Sequence, residues 1–185
     1  MSKNGLILLT PTTVDKTGGS STATISANGS VEFSACTSLS LNGVFSADYD
    51  NYMVVVRGTV TSGAGGQTWR YRLRASGADN STASSYVQQY LYASSTSVLG
   101  NRYTDNFSRI MGVYDANQVG FVCNFYGPYL AQPTAARPIA VNSQSGAGMY
   151  EFASTHNQST SYDGLTFFTD AASLNGRVAV YGMRK

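Results

Sequence analysis

Three arginines at alternate positions are the residues best placed for chemistry in this sequence. Residues 68–75 read Thr-Trp-Arg-Tyr-Arg-Leu-Arg-Ala, so Arg70, Arg72 and Arg74 alternate with apolar residues. A strand would line the three guanidinium groups up about 7 Å apart on one face, whereas a helix would spread them around its circumference. Such a face could contact a carboxylate or sulfate ligand, or an acidic patch on another subunit. The alternative is a solvated outer face whose charges are neutralised by acids on neighbouring strands.

Tyrosines form the second candidate set. The chain has 13 of them, and Tyr86, Tyr90 and Tyr92 lie close together, with Tyr90 and Tyr92 on one strand face. Aromatic faces stack on the apolar faces of glycans, so these residues are candidate glycan or interface contacts. Packing in a core or an interface, with the hydroxyl at the wet end, is the competing interpretation.

Catalytic residues are sparse. Most hydrolytic and general acid–base schemes use histidine, and the single histidine, His156, lies in a run Ser-Thr-His-Asn-Gln that predicts a solvated loop. The sequence has no Gly-x-Ser-x-Gly elbow. Ten carboxylates could supply a glycosidase pair, but no spacing singles one out. We therefore predict no catalytic residue and a protein that is not an enzyme.

Metal and cofactor motifs are equally weak. Asp48, Asp50 and Asn51 could hold calcium, although turn residues preceding a strand have the same composition. The glycine-rich residues 63–66 lack the Lys-Ser or Lys-Thr of a phosphate loop and indicate a hairpin tip. Cys36 and Cys123 lack zinc or redox spacing, which leaves two buried thiols or one disulfide. We predict no metal and no cofactor.

The composition favours strands over helices. Only 12% of the 185 residues are charged, whereas 42% are hydrophobic and Val, Thr, Tyr and Phe are abundant. Good helix formers such as Glu and Lys are scarce. The net charge of +2 is too small to indicate a nucleic-acid partner.

Strand patterns recur every ten to fifteen residues between clusters of Gly, Asn, Asp and Ser. We predict strands over residues 30–33, 38–41, 52–56, 68–75, 86–92, 108–114, 118–126, 139–142, 149–153, 165–169 and 177–183, with a hairpin turn between 114 and 118. Residues 6–9 could form a first strand or an arm. This number of strands predicts an all-β fold, an antiparallel two-sheet sandwich that is jelly-roll-like, with a closed barrel as the alternative.

The amino-terminal segment is predicted to be separate from the sandwich. We expect an extended arm and linker over residues 1–22 and a single domain over residues 23–185. The apolar run Leu6, Ile7, Leu8 and Leu9 is too short for a signal peptide or a membrane span, so we expect synthesis in a cytoplasm and no membrane insertion. Such an arm suits pairing with a sheet edge of its own or a neighbouring chain.

Three stretches carry a resemblance to a known group of proteins. They are Leu-Asn-Gly-Val-Phe-Ser-Ala-Asp-Tyr-Asp-Asn-Tyr at 41–52, Trp-Arg-Tyr-Arg-Leu-Arg at 69–74, and Asn-Gly-Arg-Val-Ala-Val-Tyr-Gly-Met-Arg-Lys at 175–185. Together they resemble β-sandwich modules in virion proteins of tailed bacteriophages, either tail fibre and baseplate components or head decoration proteins. The resemblance spans about residues 38–185 and carries no catalytic residues, because the shared motifs are turns and strands.

The resemblance implies a structural protein on the virion surface, commonly a homo-oligomer with trimers favoured. Its partners would be further copies, other virion proteins and a host surface glycan. The apolar run and the arginine face supply the predicted interface residues, which are Leu6, Ile7, Leu8, Leu9, Arg70, Arg72 and Arg74. A carbohydrate-binding module is the alternative function, and a glycan-depolymerising enzyme the next.

Overall fold

The computed structural model describes residues 5–61, 67–94, 96–113, 118–142 and 148–184. The predicted hairpin turn at 114–118 and the glycine-rich tip at 63–66 fall almost entirely outside these ranges. The described residues form sixteen strands and no helix. The strands are β1 (Leu6–Leu9), β2 (Thr13–Thr17), β3 (Thr22–Ile25), β4 (Val31–Cys36), β5 (Ser38–Asn42), β6 (Asn51–Thr61), β7 (Gln67–Ala75), β8 (Ala78–Asp79), β9 (Tyr86–Ser94), β10 (Ser97–Asp105), β11 (Ser108–Val113), β12 (Gln118–Tyr126), β13 (Thr134–Asn142), β14 (Gly148–His156), β15 (Gly164–Phe168) and β16 (Ser173–Met183).

Two antiparallel sheets pack face to face, which confirms the predicted all-β sandwich. The ten-stranded sheet has the order β10-β9-β14-β13-β12-β6-β16-β4-β3, and the six-stranded sheet has the order β11-β7-β15-β5-β2. Strand β1 pairs with the carboxyl half of β16, next to β4, and β8 pairs with the end of β7. The sheets are therefore separate, and each has two edges.

The finer expectations of a jelly-roll strand order and an extended amino-terminal arm are not confirmed. Residues 6–9 form β1, which pairs with β16 of the same chain, and residues 13–17 form β2, which pairs with β5. The first twenty residues thus contribute a strand to each sheet. The apolar run had suggested an arm because a four-residue strand gives no sequence period that distinguishes the two.

The core between the sheets is aromatic. Strand β7 contributes Trp69, Tyr71 and Leu73 from one face, each at most 2% exposed, as the two-residue alternation predicts. Trp69 meets Phe121 of the opposite sheet edge-to-face, with ring centroids 5.3 Å apart. The arginines between them consequently lie on the outer face of the six-stranded sheet.

Both cysteines are free and buried, so the disulfide alternative is wrong. Burial raises the pKa of the Cys36 and Cys123 thiols, and the Cys36 thiol donates to the carbonyl oxygens of Thr22 and Ser34 at 3.3 Å. We expect neither thiol to react with an aromatic disulfide reagent in the folded chain, and both to react after denaturation in guanidinium. Rapid modification of either thiol without denaturant would contradict this arrangement.

Candidate interaction surface

The outer face of the ten-stranded sheet carries an exposed apolar area near its β10 edge. One row of directly opposed residues crosses four neighbouring strands and consists, in order, of Val141, Met149, Ala93 and Val98. In the adjacent row, Ile139 and Leu91 both lie opposite Glu151. Directly opposed residues share a face of the sheet. We call the apolar patch the set Leu91, Val98, Ile139, Val141 and Met149.

These five side chains are between 38% and 67% exposed. Together they expose apolar surface on the order of 400 Å², in the range at which patches on a monomer often mark interaction sites. The charged pair on the patch is Arg137 with Glu151, whose guanidinium and carboxylate lie 2.5 Å apart. The patch is therefore apolar with a neutralised charge beside it, which is the composition of an interface centre.

Strand β10 forms the edge of the same sheet beside the patch. It is nine residues long and pairs with β9 on one side, as the terminal strand of the sheet order. A long edge strand presents unpaired N–H and C=O groups to another strand. Leu99, 59% exposed, points from this edge toward the face opposite the patch. The sequence had not predicted β10, because exposure on both faces removes the alternation that reveals strands.

All three arginines of β7 have partners on the outer face of the six-stranded sheet. Arg70 makes a bidentate ion pair with Asp170 and lies 4.2 Å from the centroid of the Phe107 ring. Burial lowers the pKa of Arg70, against the opposing effect of Asp170. The Arg72 guanidinium donates to the carbonyl oxygen of Asn106 at 3.0 Å.

Arg74 is the most enclosed of the three, at 7% exposure. Its guanidinium pairs with Asp79 at 2.5 Å and donates to Ser40 Oγ at 3.0 Å and to Thr166 Oγ1 at 2.8 Å. It also donates to Asn42 Oδ1 at 3.0 Å. The three arginines lie along one strand face, as predicted. Their guanidinium groups, however, form most of their hydrogen bonds and ion pairs within the chain.

The three candidate tyrosines differ in accessibility. Tyr86 is fully buried, with its hydroxyl accepting from the Leu73 amide and donating to the Asn80 carbonyl, both at 3.0 Å. Tyr86 therefore cannot contact an external glycan in the folded chain, and this candidate was wrong. Its burial follows from the packing of β9 under β7, which the local spacing of tyrosines does not reveal.

Tyr90 and Tyr92 are half-buried in an aromatic row. The Tyr90 ring stacks on Tyr103 at 5.6 Å and on Phe152 at 5.0 Å, from the strands on either side. The Tyr92 ring stacks on Tyr150 at 4.5 Å. Both faces of Tyr90 are thus covered, so Tyr92 is the more accessible of the two for stacking on a ligand.

His156 is not the solvated loop residue that its polar neighbours suggested. It is the last residue of β14 and is 2% exposed, with its ring 4.1 Å from that of Tyr86 and Nε2 2.5 Å from the Tyr162 hydroxyl. Burial lowers its pKa to about 4. The imidazole is therefore neutral at pH 7 and serves in packing.

The acidic residues are mostly engaged. In the described ranges, five of the nine acids pair with arginines, namely Asp15, Asp79, Asp105, Asp170 and Glu151. Ser46 Oγ bonds both the backbone amide and the carboxylate of Asp48 at 3.3 Å, which supports the turn interpretation of that segment. Within the described ranges, no group of three or more His, Cys, Asp or Glu side chains could hold a metal ion.

No protein-family model matches the chain. No curated protein matches it either. In the part of the chain that the structure describes, no helix is long and apolar enough to cross a membrane. Function is therefore inferred from the exposed surface of the chain. The apolar patch on that surface was not predicted from the sequence. The available signal was the run Ile-Ala-Val at 139–141, where apolar residues occupy outward as well as inward positions.

Proposed function

We propose that this chain is a non-enzymatic structural protein on the exterior of a tailed-phage virion. It acts as a capsid decoration or cement protein, or as a tail-associated fibre or baseplate component, in assembly or host-surface contact. The observation that supports assembly as its role is the apolar patch beside the free β10 edge. The motifs at 41–52, 69–74 and 175–185, which resemble those of tailed-phage virion proteins, support the assignment to a virion.

The patch and the edge together favour a protein partner. A standard interface buries about 800 Å² on each partner, with an apolar centre and a polar rim. The apolar patch supplies such a centre, with Glu151 between Ile139 and Leu91 and paired with Arg137, and Arg102 lies at its border. In the proposed assembly this face contacts a further copy of the chain, with trimers favoured, or another virion protein.

Self-association is tested by placing a charge in the patch. Val141 is 57% exposed, so Val141→Glu should leave the fold intact while burying a carboxylate in any interface formed there. We expect light scattering to give an oligomer for the unmodified chain and a 19.7 kDa species for Val141→Glu. Ser159→Glu, an exposed position outside the patch, is the matched control and should remain oligomeric.

A stable monomer for the unmodified chain at micromolar concentration, with no binding to particles, would contradict the proposed function. Location is tested separately, by labelling the chain on intact phage particles. Label on heads would assign decoration, and label on tails would assign a fibre or baseplate component. Particles that carry none of the protein would refute the virion assignment.

A further inference from the structure

A polar cleft lies on the outer face of the ten-stranded sheet, separated from the apolar patch by β12, where Gly120 lies between Arg57 of the cleft and Val141 of the patch. Strands β3, β4, β16 and β6 form its floor, and its volume is about 570 Å³. This is within the usual range for sites that hold small ligands. The side chains used below are Thr22, Thr24, Glu32, Ser34, Arg57 and Arg177.

Two arginines lie side by side on neighbouring strands in this cleft. Arg57 and Arg177 are directly opposed residues of neighbouring strands, and both are exposed. Like charges directly opposite each other in a sheet destabilise it. In the described ranges, each ion pair involves another arginine, namely Arg70, Arg74, Arg109 or Arg137. Arg177 has Glu32 opposite it on β4 and donates from Nε to Ser30 Oγ at 2.8 Å, whereas Arg57 has only Arg177 and Gly120 opposite it. The cleft therefore carries an excess of positive charge, centred on Arg57.

A β-bulge shapes the cleft floor. The register of β16 against β4 shifts between Leu174 and Gly176, and Gly176 has a φ of +155°. A Cβ on Gly176 would lie 2.2 Å from the Arg57 carbonyl oxygen and 2.7 Å from Gly58 Cα, so only glycine fits. The Asn175 side chain closes the bulge by accepting from Ser34 Oγ and the Ala35 amide at 2.9 Å. Glycine at position 176 thus fixes the bulge between β16 and β4, and the shifted register places Arg177 opposite Glu32.

The other polar side chains that line the cleft determine which kind of anion fits beside the two arginines. Glu32 lies directly opposite Arg177, on the side away from Arg57, and Thr24 lies opposite Glu32. A carboxylate at this position repels a ligand whose negative charges are concentrated on one group, but it accepts hydrogen bonds from hydroxyl groups. The hydroxyl of Thr22 extends the same polar row on β3. The preferred ligand has one carboxylate per residue and several hydroxyls.

We propose that this cleft binds an acidic saccharide, with the carboxylate of a uronic-type sugar between Arg57 and Arg177 and its hydroxyls toward Glu32 and Thr24. Guanidinium groups recognise carboxylates through paired charge-assisted hydrogen bonds. The site lies on strands other than those of the apolar patch, so saccharide and assembly partner bind different parts of one sheet face. The proposal holds for the isolated chain and does not depend on the virion assignment.

The test is calorimetric titration of the full chain, at one ionic strength, with tetragalacturonate and with its neutral methyl ester. We expect the acid to bind at least tenfold more tightly than the ester. Arg57→Gln and Arg177→Gln should each weaken acid binding at least tenfold. Arg184→Gln changes an exposed arginine just beyond the carboxyl end of β16 and outside the cleft lining, and it should leave binding unchanged.

Folding is checked by the Tm of each variant, which should not fall for Arg57→Gln because the substitution removes a cross-strand repulsion. Equal binding of acid and ester, or unchanged acid binding in both arginine variants, would overturn the proposal. Sulfate that binds as tightly as tetragalacturonate would overturn its saccharide part, since it would show a site for simple anions. Weaker acid binding in Glu32→Gln would support the role of Glu32 toward the hydroxyls.

Discussion

Replacing Arg74 by alanine should lower the free energy of unfolding by about 3–5 kcal/mol, because it breaks a largely buried ion pair and leaves a carboxylate without its partner. Arg74 is 7% exposed, and its guanidinium bonds Asp79, Ser40 and Thr166. Urea denaturation at pH 7 measures the change. Arg57→Ala is the control, since an exposed arginine without an ion pair in the described chain should change stability by about 0.5 kcal/mol or less.

A double-mutant cycle separates the ion pair from the packing of the arginine stem. Asp79 also accepts from Thr166 Oγ1 at 2.6 Å, so Asp79→Asn alone should destabilise the chain. The double variant Arg74→Ala, Asp79→Asn should be less destabilised than the sum of the two single variants. Additive effects, or a loss near that of Arg57→Ala, would show that Arg74 is available to an external partner rather than engaged within the chain.

Acidification should destabilise the chain through His156, and the loss should begin near pH 6.5, before the carboxylates start to titrate. Burial lowers the pKa of this imidazole from 6.5 to about 4. Between these values the unfolded chain binds a proton that the folded chain does not, so stability is lost as pH falls through this window. The full loss is about 3 kcal/mol. The attraction of a protonated imidazole for the Tyr86 ring, about 0.5–2 kcal/mol, is smaller than this cost.

The measurement is the free energy of unfolding between pH 7 and pH 5, where His156 is the single histidine that titrates. His156→Phe keeps an aromatic ring against Tyr86 and Tyr162 but cannot bind a proton. We expect stability to fall with pH in the unmodified chain and to stay nearly level in the variant. Equal slopes in the two proteins would contradict the buried, neutral imidazole.

Strands that bury one face were predictable because alternation depends only on the residues within the strand. The period of Trp69, Tyr71 and Leu73 identified β7 and placed its arginines on the opposite face, as the structure has them. Strand β10 was missed because neither of its faces is well buried. Strand β1 was predicted as apolar, but its pairing with β16, at the other end of the chain, has no local signal.

Composition and period by themselves determined an all-β sandwich, the outward face of the β7 arginines and the lack of a recognisable catalytic motif. Only the tertiary structure decided which charges are satisfied and which are not. Arg74 donates a hydrogen bond to Thr166, which is 92 positions away in the sequence. Arg57 lies opposite Arg177 because β6 pairs with β16, the last strand of the chain. Burial of Tyr86 and His156 was decided in the same way. Accessibility and charge pairing depend on contacts between distant strands, and sequence period describes only the strand to which a residue belongs.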